Sequence, residues 1–395
     1  MKEVPPAMKR LIYVLLALCL LLPLAALAEE AQDITAECIV NKQAWNDAKP
    51  DKVRDSNYAT FYKGQAVTIQ APEGKTIGAL MIKWQVQPKV KVVLLRSDDG
   101  NKFTEVFRED CKYAQQLIVL DNPETILRFK AASGQMEVNE IVVLTPGEIP
   151  ASIPQWKDAP EKVDLMLFST HPDDEVLWFG GLLPYYAGEQ DKDVLVINAV
   201  YGWFYRRQEL LDALWTCGVD IYPIMLGYPD QVDTVNEIIR EWGVKNRQPK
   251  NKAVALIRQY KPDVVVLHDV DGEYGHNAHK AFCWLGQQGV ERAADPNEHA
   301  ESFKEWGVWN VPKTYIHLWG DNQMRMDWKQ PLTAFGGKTG LEVADEAFHC
   351  HVSQTQKQYR VEDGGEYDNA LFGLWRTNVG LELVKNDLFE NIPAE

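Results

Sequence analysis

Residues 163–175 read Val163-Asp164-Leu165-Met166-Leu167-Phe168-Ser169-Thr170-His171-Pro172-Asp173-Asp174-Glu175, a mostly apolar run that passes directly into a turn of imidazole and carboxylates. An apolar run of this length, bounded by a turn, predicts a strand buried on both faces. Two similar runs follow, Val194 to Val200 and Val264 to Leu267, and the intervening segments Arg206 to Trp215 and Lys252 to Tyr260 carry helical patterns. Strands alternating with helices specify an α/β domain, a Rossmann-like parallel sheet with helices on both faces, expected over residues 162–395. Ligands of such sheets bind beyond the carboxyl ends of the strands, where the polar residues after Ser169 fall.

Upstream the pattern changes. Ala66 to Ile69, Gly78 to Trp84, Val90 to Leu95 and Glu140 to Leu144 are short runs separated by turn signals such as Asp98-Asp99-Gly100 and Ala132-Ser133-Gly134. They predict an all-β sandwich over residues 29–150. Pro146, Pro150, Pro154 and Pro160 mark a linker at residues 151–161, with Trp156 placed to dock it onto a neighbour. At the start, Lys9 and Arg10 precede an apolar run from Leu11 to Leu27, and Ala26-Leu27-Ala28 fits the small-x-small cleavage rule. Residues 1–28 therefore read as an export signal, Met8 being an alternative start and an uncleaved anchor the alternative fate. No later segment is apolar enough to span a bilayer, so the expected location is secreted or at the cell surface.

The 395 residues are 46% apolar, with 13 Trp, 15 Tyr and 13 Phe, which suffices for two packed cores. Formal charge is −16, and Lys2, Lys9 and Arg10 against Glu3 in the export segment leave about −18 on the remainder. Nucleic acid is excluded as a partner, because the surface is acidic and lacks a basic patch interleaved with aromatics. Five cysteines follow the export segment, Cys38, Cys111, Cys217, Cys283 and Cys350, so at least one thiol is unpaired. Cys38 and Cys111 share the first domain, and the sequence leaves open whether they form a disulfide. The absence of C-x-x-C spacing argues against a cysteine zinc site.

Two motifs fall at expected strand ends. His171 and Asp174 stand three residues apart across a turn stiffened by Pro172, so a nitrogen and an oxygen donor can converge on one cation. After Leu267 the chain reads His268-Asp269-Val270-Asp271-Gly272-Glu273-Tyr274-Gly275-His276-Asn277-Ala278-His279, bringing more imidazoles to the same rim. Gly272 and Gly275 permit tight turns, and His276 and His279 can share one side of the helix that begins there. Two histidines and one carboxylate make the three-ligand set of catalytic zinc, leaving a fourth position for water. A calcium loop over Asp269, Asp271 and Glu273 is ruled out, since Tyr274 stands where its glycine belongs and Lys280 where its glutamate belongs. Asp271 and Glu273 remain open between capping, support of the histidines and loop shape.

Thr170-His171-Pro172-Asp173-Asp174-Glu175 resembles the A-H-P-D-D-E signature of the LmbE-like (PIG-L) deacetylases, and Gly272 to His279 resembles their second signature. The likeness continues through Arg206-Arg207-Gln208-Glu209, Ala213, Cys217-Gly218-Val219, Leu226 to Asp230 and His351-Val352-Ser353-Gln354, covering about Val163 to Gln354. It implies His171, Asp174 and His279 as zinc ligands, Asp173 as general base, His276 as the acid for the leaving amine, and Tyr274 as polariser of the carbonyl oxygen. Arg206 and Asp230 look like substrate-side residues; an ion pair with Glu209 is the alternative for Arg206. The chain departs from the pattern at Asn277-Ala278, where many members read Pro-Asp, which puts the substrate class in doubt. The strands after Asp51 to Tyr62 resemble a discoidin-like sandwich, which implies either a carbohydrate-binding module or a domain that binds nothing.

The expected activity is zinc-dependent removal of acetyl from N-acetylglucosamine-type sugars in an extracellular glycan or polysaccharide. The alternatives are a zinc amidase acting on a non-sugar N-acyl compound and a surface glycan-binding protein without catalysis. His268, His317 and His349 are expected to be structural. Trp203, Phe204 and Tyr205 either stack on a sugar or belong to core or lid.

Overall fold

The computed structural model describes residues 29–43, 50–230, 233–244 and 248–393. The export segment lies outside them, and no helix among the described residues is long and apolar enough to cross a membrane.

Alternation of apolar and polar residues builds the first unit from nine strands: β1 (Ile39–Gln43), β2 (Tyr62–Gly64), β3 (Ala66–Gln70), β4 (Ile77–Val86), β5 (Val92–Ser97), β6 (Thr104–Glu109), β7 (Gln115–Glu124), β8 (Ile126–Ala131) and β9 (Met136–Leu144). They pair antiparallel in two sheets, β1-β3-β8-β5-β6 and β2-β9-β4-β7. Between the sheets Trp84 meets Phe129 edge-on at 6.2 Å amid Ile69, Leu94 and Val138, all buried. Cys38 and Cys111 both border this core as free thiols, which settles the disulfide question in the negative for this structure.

The second unit runs β10 (Leu165–Ser169), α1 (Asp174–Leu177), β11 (Val194–Asn198), α2 (Phe204–Thr216), β12 (Ile224–Met225), α3 (Val235–Trp242), α4 (Pro249–Tyr260), β13 (Val264–Leu267), α5 (Asn277–Ala293), α6 (Ala300–Trp306), β14 (Lys313–His317), β15 (Gln323–Arg325), α7 (Gly340–Cys350) and β16 (Leu371–Thr377). Because side chains alternate along a strand, Leu165 and Leu167 of β10 join one core while Met166 and Phe168 join the other. The first core is closed by Val176, Leu210 and Phe348 from α1, α2 and α7; the second by Trp242, Ile257 and Phe282 from α3, α4 and α5.

Strand order is β12-β11-β10-β13-β14-β16-β15. The first five are parallel, but β16 runs antiparallel to β14, and β15 in turn pairs antiparallel to β16, which corrects the expectation of an all-parallel sheet. The cause is the route of the chain. After His317 it builds the rim at the carboxyl ends and re-enters from that rim, with Phe372 opposite His317. Parallel pairing would have required a crossover back to the other end. From β10 the chain steps outward to β11 and β12, then returns to β13 on the opposite side, so strand order reverses between β10 and β13. Open α/β sheets bind ligands at such a reversal.

The sandwich docks on α2. Arg207 donates to the carbonyls of Trp84 (2.7 Å) and Gln85 (2.9 Å), and the Gln208 amide donates to Trp84 (2.8 Å). Asp212 accepts from Lys83 (2.8 Å), Gln115 (2.7 Å) and the Tyr58 hydroxyl. The connecting segment is docked as well: Trp156 is buried, 5.5 Å from both Trp215 and Tyr222.

Asp212→Ala leaves the largely buried Lys83 ammonium without its carboxylate and is expected to lower stability by about 2 kcal/mol in urea titrations. A second expectation concerns Glu140, a buried acid beside the same interface whose pKa burial and Asp55 raise from 4.5 to about 8. The folded chain keeps this proton where the unfolded chain releases it, so its stabilising contribution is full below pH 4.5 and is lost as pH rises towards 8. Glu140→Gln should therefore flatten the decline in unfolding free energy measured between pH 5 and pH 8.

Candidate metal centre and active site

The rim above β10 and β13 is assembled from short-range hydrogen bonds first. The His171 backbone N–H donates to Asp174 Oδ2 (2.7 Å), and the Trp178 indole donates to Asp174 Oδ1 (2.8 Å), so one carboxylate is fixed from both ends. Opposite, Gly272 takes φ 70°, and a Cβ there would stand 2.4 Å from the His276 carbonyl; only glycine closes this turn. α5 then begins with His276 as its N-cap, the ring Nδ1 accepting from the Ala278 N–H (3.2 Å), and His279 lies in the first turn.

Three ligand atoms meet. Asp174 Oδ2 is 3.1 Å from His171 Nδ1 and 3.1 Å from His279 Nε2, and the two ring nitrogens are 3.2 Å apart. Ligands of a tetrahedral zinc with bonds of about 2.1 Å stand about 3.4 Å from one another, so the triangle fits such an ion closely. A second grouping, His268, Glu273 and His279, suits an ion less well. His268 Nε2 already accepts the Thr170 N–H (3.0 Å), and His279 Nδ1 and Glu273 Oε2 form a 2.6 Å hydrogen bond.

Glu273 emerges as the support of the histidines, the choice the sequence left open. Its Oε1 meets His268 Nδ1 (3.0 Å), His317 Nδ1 (3.1 Å) and the Asp269 N–H (3.1 Å), while Oε2 orients His279. A carboxylate behind a ligating imidazole fixes its tautomer and raises its basicity. It also supplies the support that the Asn277-Ala278 departure seemed to remove. His268 and His317 are thus buried partners of Glu273, and His349 is exposed, bonded to the Asp345 carbonyl.

His171, Asp173, Asp174, Arg206, Asp230, Tyr274 and His276 line one cavity of about 350 Å³, closed by Trp178, Phe348 and Tyr359. Arg206 lies 3.3 Å from Asp173 Oδ1 and donates to the Pro172 carbonyl at 2.5 Å. The alternative pair with Glu209 is not formed, because both Glu209 oxygens accept from Ser353. Asp230 Oδ1 stands 3.4 Å from His171 Nε2 at the cavity edge. Trp203, 70% exposed, and Phe204 sit outside any core, and Tyr205 faces a separate space between the two units. Gln354, the last residue of the His351-Val352-Ser353-Gln354 motif, reaches the cavity from the segment after α7, together with Lys357 and Tyr359, which no motif announced; Tyr359 stacks on Tyr274 at 4.6 Å.

Electrostatics divides the carboxylates. Burial and the charge of Asp174 push Asp173 up to about 7, whereas His279 and His171 overcome burial and hold Asp174 well below the ordinary range. Burial, His279 and His171 push His276 down to about 4; burial also lifts Tyr274, which stays protonated.

Residues 166–288 match the PIG-L family model, GlcNAc-PI de-N-acetylase. Similar curated proteins include the 1D-myo-inositol 2-acetamido-2-deoxy-alpha-D-glucopyranoside deacetylases of Geodermatophilus obscurus, 28% identical over 38% of this chain and 60% of that protein, and Rhodococcus opacus, 30% identical over the same shares. The chain thus spans about 60% of the length of these relatives. Among solved structures, a conserved protein of Thermus thermophilus gives a TM-score of 0.36 at 19% identity, covering 49% of this chain and 80% of that one. The family 32 CBM of C. perfringens NanJ, in complex with galactose, gives 0.25 at 11% identity, covering 29% and 98%.

Glu273→Ala is expected to weaken zinc binding about 10- to 100-fold by freeing His279, as measured by chelator competition.

Proposed function

We propose that this protein is a zinc-dependent hydrolase that removes acetyl groups from N-acetylglucosamine-type sugars of an extracellular glycan or polysaccharide. The triangle of His171, Asp174 and His279, opening onto a cavity that also holds Asp173, is the observation that carries this reading. The match of residues 166–288 and the acetamido-sugar deacetylases among the relatives support the amide chemistry.

Zinc, when bound, supplies Lewis acidity, which lowers a water's pKa to about 7. Asp173, lifted to about 7, is poised to take a proton from the attacking water near neutral pH, and Arg206 keeps its carboxylate in place. Tyr274 remains protonated and can donate a hydrogen bond to the acyl oxygen as charge develops there. His276 with a pKa of about 4 is neutral at rest, and its cationic form is a strong acid, so the proton it gives to the leaving amine must arrive within the cycle. Trp178 and Tyr359, whose rings meet at 5.1 Å, form one aromatic wall of the cavity. The export segment read at residues 1–28 supports an extracellular substrate.

The test is acetate release from N-acetylglucosamine oligomers by the wild type, with and without zinc, beside Asp173→Asn. Release should require zinc and fall about 10²- to 10⁴-fold in the variant with zinc stoichiometry unchanged. Release from N-acyl peptides alone would shift the substrate to another amide, and sugar binding without any hydrolysis would favour a glycan-binding protein. A wild type that binds no zinc overturns the mechanism.

A further inference from the structure

Asp173 has φ 124° and ψ −30°, a conformation that glycine enters freely and other residues avoid at a cost of about 1–3 kcal/mol. Such strain persists only where the surroundings enforce it. Two enforcers are visible. Arg206 clasps the Asp173 carboxylate and the Pro172 carbonyl, as described above. The other is a buried relay: the Asp173 N–H donates to Glu175 Oε2 (2.8 Å), and Glu175 Oε1 lies 2.5 Å from His351 Nε2.

His351 is 176 residues from Glu175 in sequence and fully buried beneath the cavity wall. Its Nδ1 has no partner among the described residues, so the imidazole commits its one hydrogen bond to Glu175. The ring is itself anchored. It follows α7 with its N–H bonded to the Phe348 carbonyl (2.9 Å), and two residues on, Ser353 is held by both oxygens of Glu209 on α2.

We propose that His351, acting through Glu175, is a positioning residue that locks the Asp173 backbone in its strained conformation and so aims the carboxylate into the cavity. The inference rests on the reading of Asp173 as the base. His351 belongs to neither the ligand triangle nor the cavity lining; it reaches Asp173 through the Glu175 carboxylate and the Asp173 N–H, and its charge when protonated also favours the Asp173 carboxylate.

Three variants of the full chain test it. His351→Phe keeps a ring and removes the hydrogen bond, Glu175→Ala removes the link, and Glu175→Gln keeps an acceptor for the Asp173 N–H. With acetate release as the assay, His351→Phe and Glu175→Ala should each lower kcat about 10²-fold while KM and zinc stoichiometry stay within twofold of the wild type. Glu175→Gln should restore kcat to within about tenfold of the wild type. Crystal structures of His351→Phe, or of His351→Gln if the former does not fold, should show Asp173 relaxed to negative φ. An unchanged kcat, a loss that follows zinc occupancy, or an Asp173 backbone that keeps φ near its present value overturns the proposal. If the wild type hydrolyses no N-acyl substrate, the reading of Asp173 as base fails, and the backbone measurement still decides whether His351 holds the conformation.

Discussion

Parallel pairing of β10 with β13 governs the chemistry of this protein. Leu165 pairs with Val264 and Leu167 with Val266, so two strands nearly a hundred residues apart end at the same height on the same rim. The loops that leave them then have nowhere to go but toward each other. His171 and His279, separated by 108 positions, meet at 3.2 Å because of that register and the tight turn at Gly272. A slip of one residue would turn every side chain of β13 to the other face and break both cores, so the register is enforced by packing along the whole strand.

The second constraint is charge. Asp173, Asp174, Glu175 and Glu273 are buried within one rim, and an unpaired buried carboxylate costs several kcal/mol. Imidazoles answer three of them: His171 and His279 for Asp174, His351 for Glu175, and His268, His279 and His317 for Glu273. Asp173 has a direct ion pair with Arg206, and burial together with the charge of Asp174 outweighs Arg206 and the more distant His351, so its carboxyl is raised to about 7. A divalent cation held by the triangle would add positive charge there. It would also favour the ionised form of Asp173, since opposite charge stabilises a carboxylate. The excess of acid at the rim is thus a reason for the site to take a metal.

Much of this rim was legible in the sequence because it follows directly after strands. A short apolar run ending in His-Pro-Asp-Asp and another ending in His-Asp-Val-Asp-Gly-Glu locate the two loops with little knowledge of the rest of the chain. The supporting pairs were not legible, since they join residues that only tertiary packing brings together. Glu273 stood inside a recognised motif, yet its task depends on His268 and His317 arriving from β13 and β14. Arg206 and Glu209 sit three apart on a helix and suggested each other; Asp173 and Ser353 took them instead. The reversed strand β16, and β15 that pairs with it, escaped for a related reason, as nothing in their composition records the rim from which the chain re-enters.

The sandwich belongs to the same chain of support. α2 presents Arg206 to Asp173, and the next two residues, Arg207 and Gln208, turn away to hold carbonyls of Trp84 and Gln85 in β4. Both are buried by that contact, and a guanidinium at such a position without acceptors would be strongly destabilising. One turn later Asp212 gathers Lys83 and Gln115 from the same sheet and Tyr58 from the loop before β2. The first turns of α2 therefore take their position from the sandwich on one side and deliver Arg206 to the cavity on the other. A domain connected by a free tether would have no such grip. Its docking makes the sandwich part of the scaffold that holds Asp173 against its own backbone strain, whatever its outer surface binds.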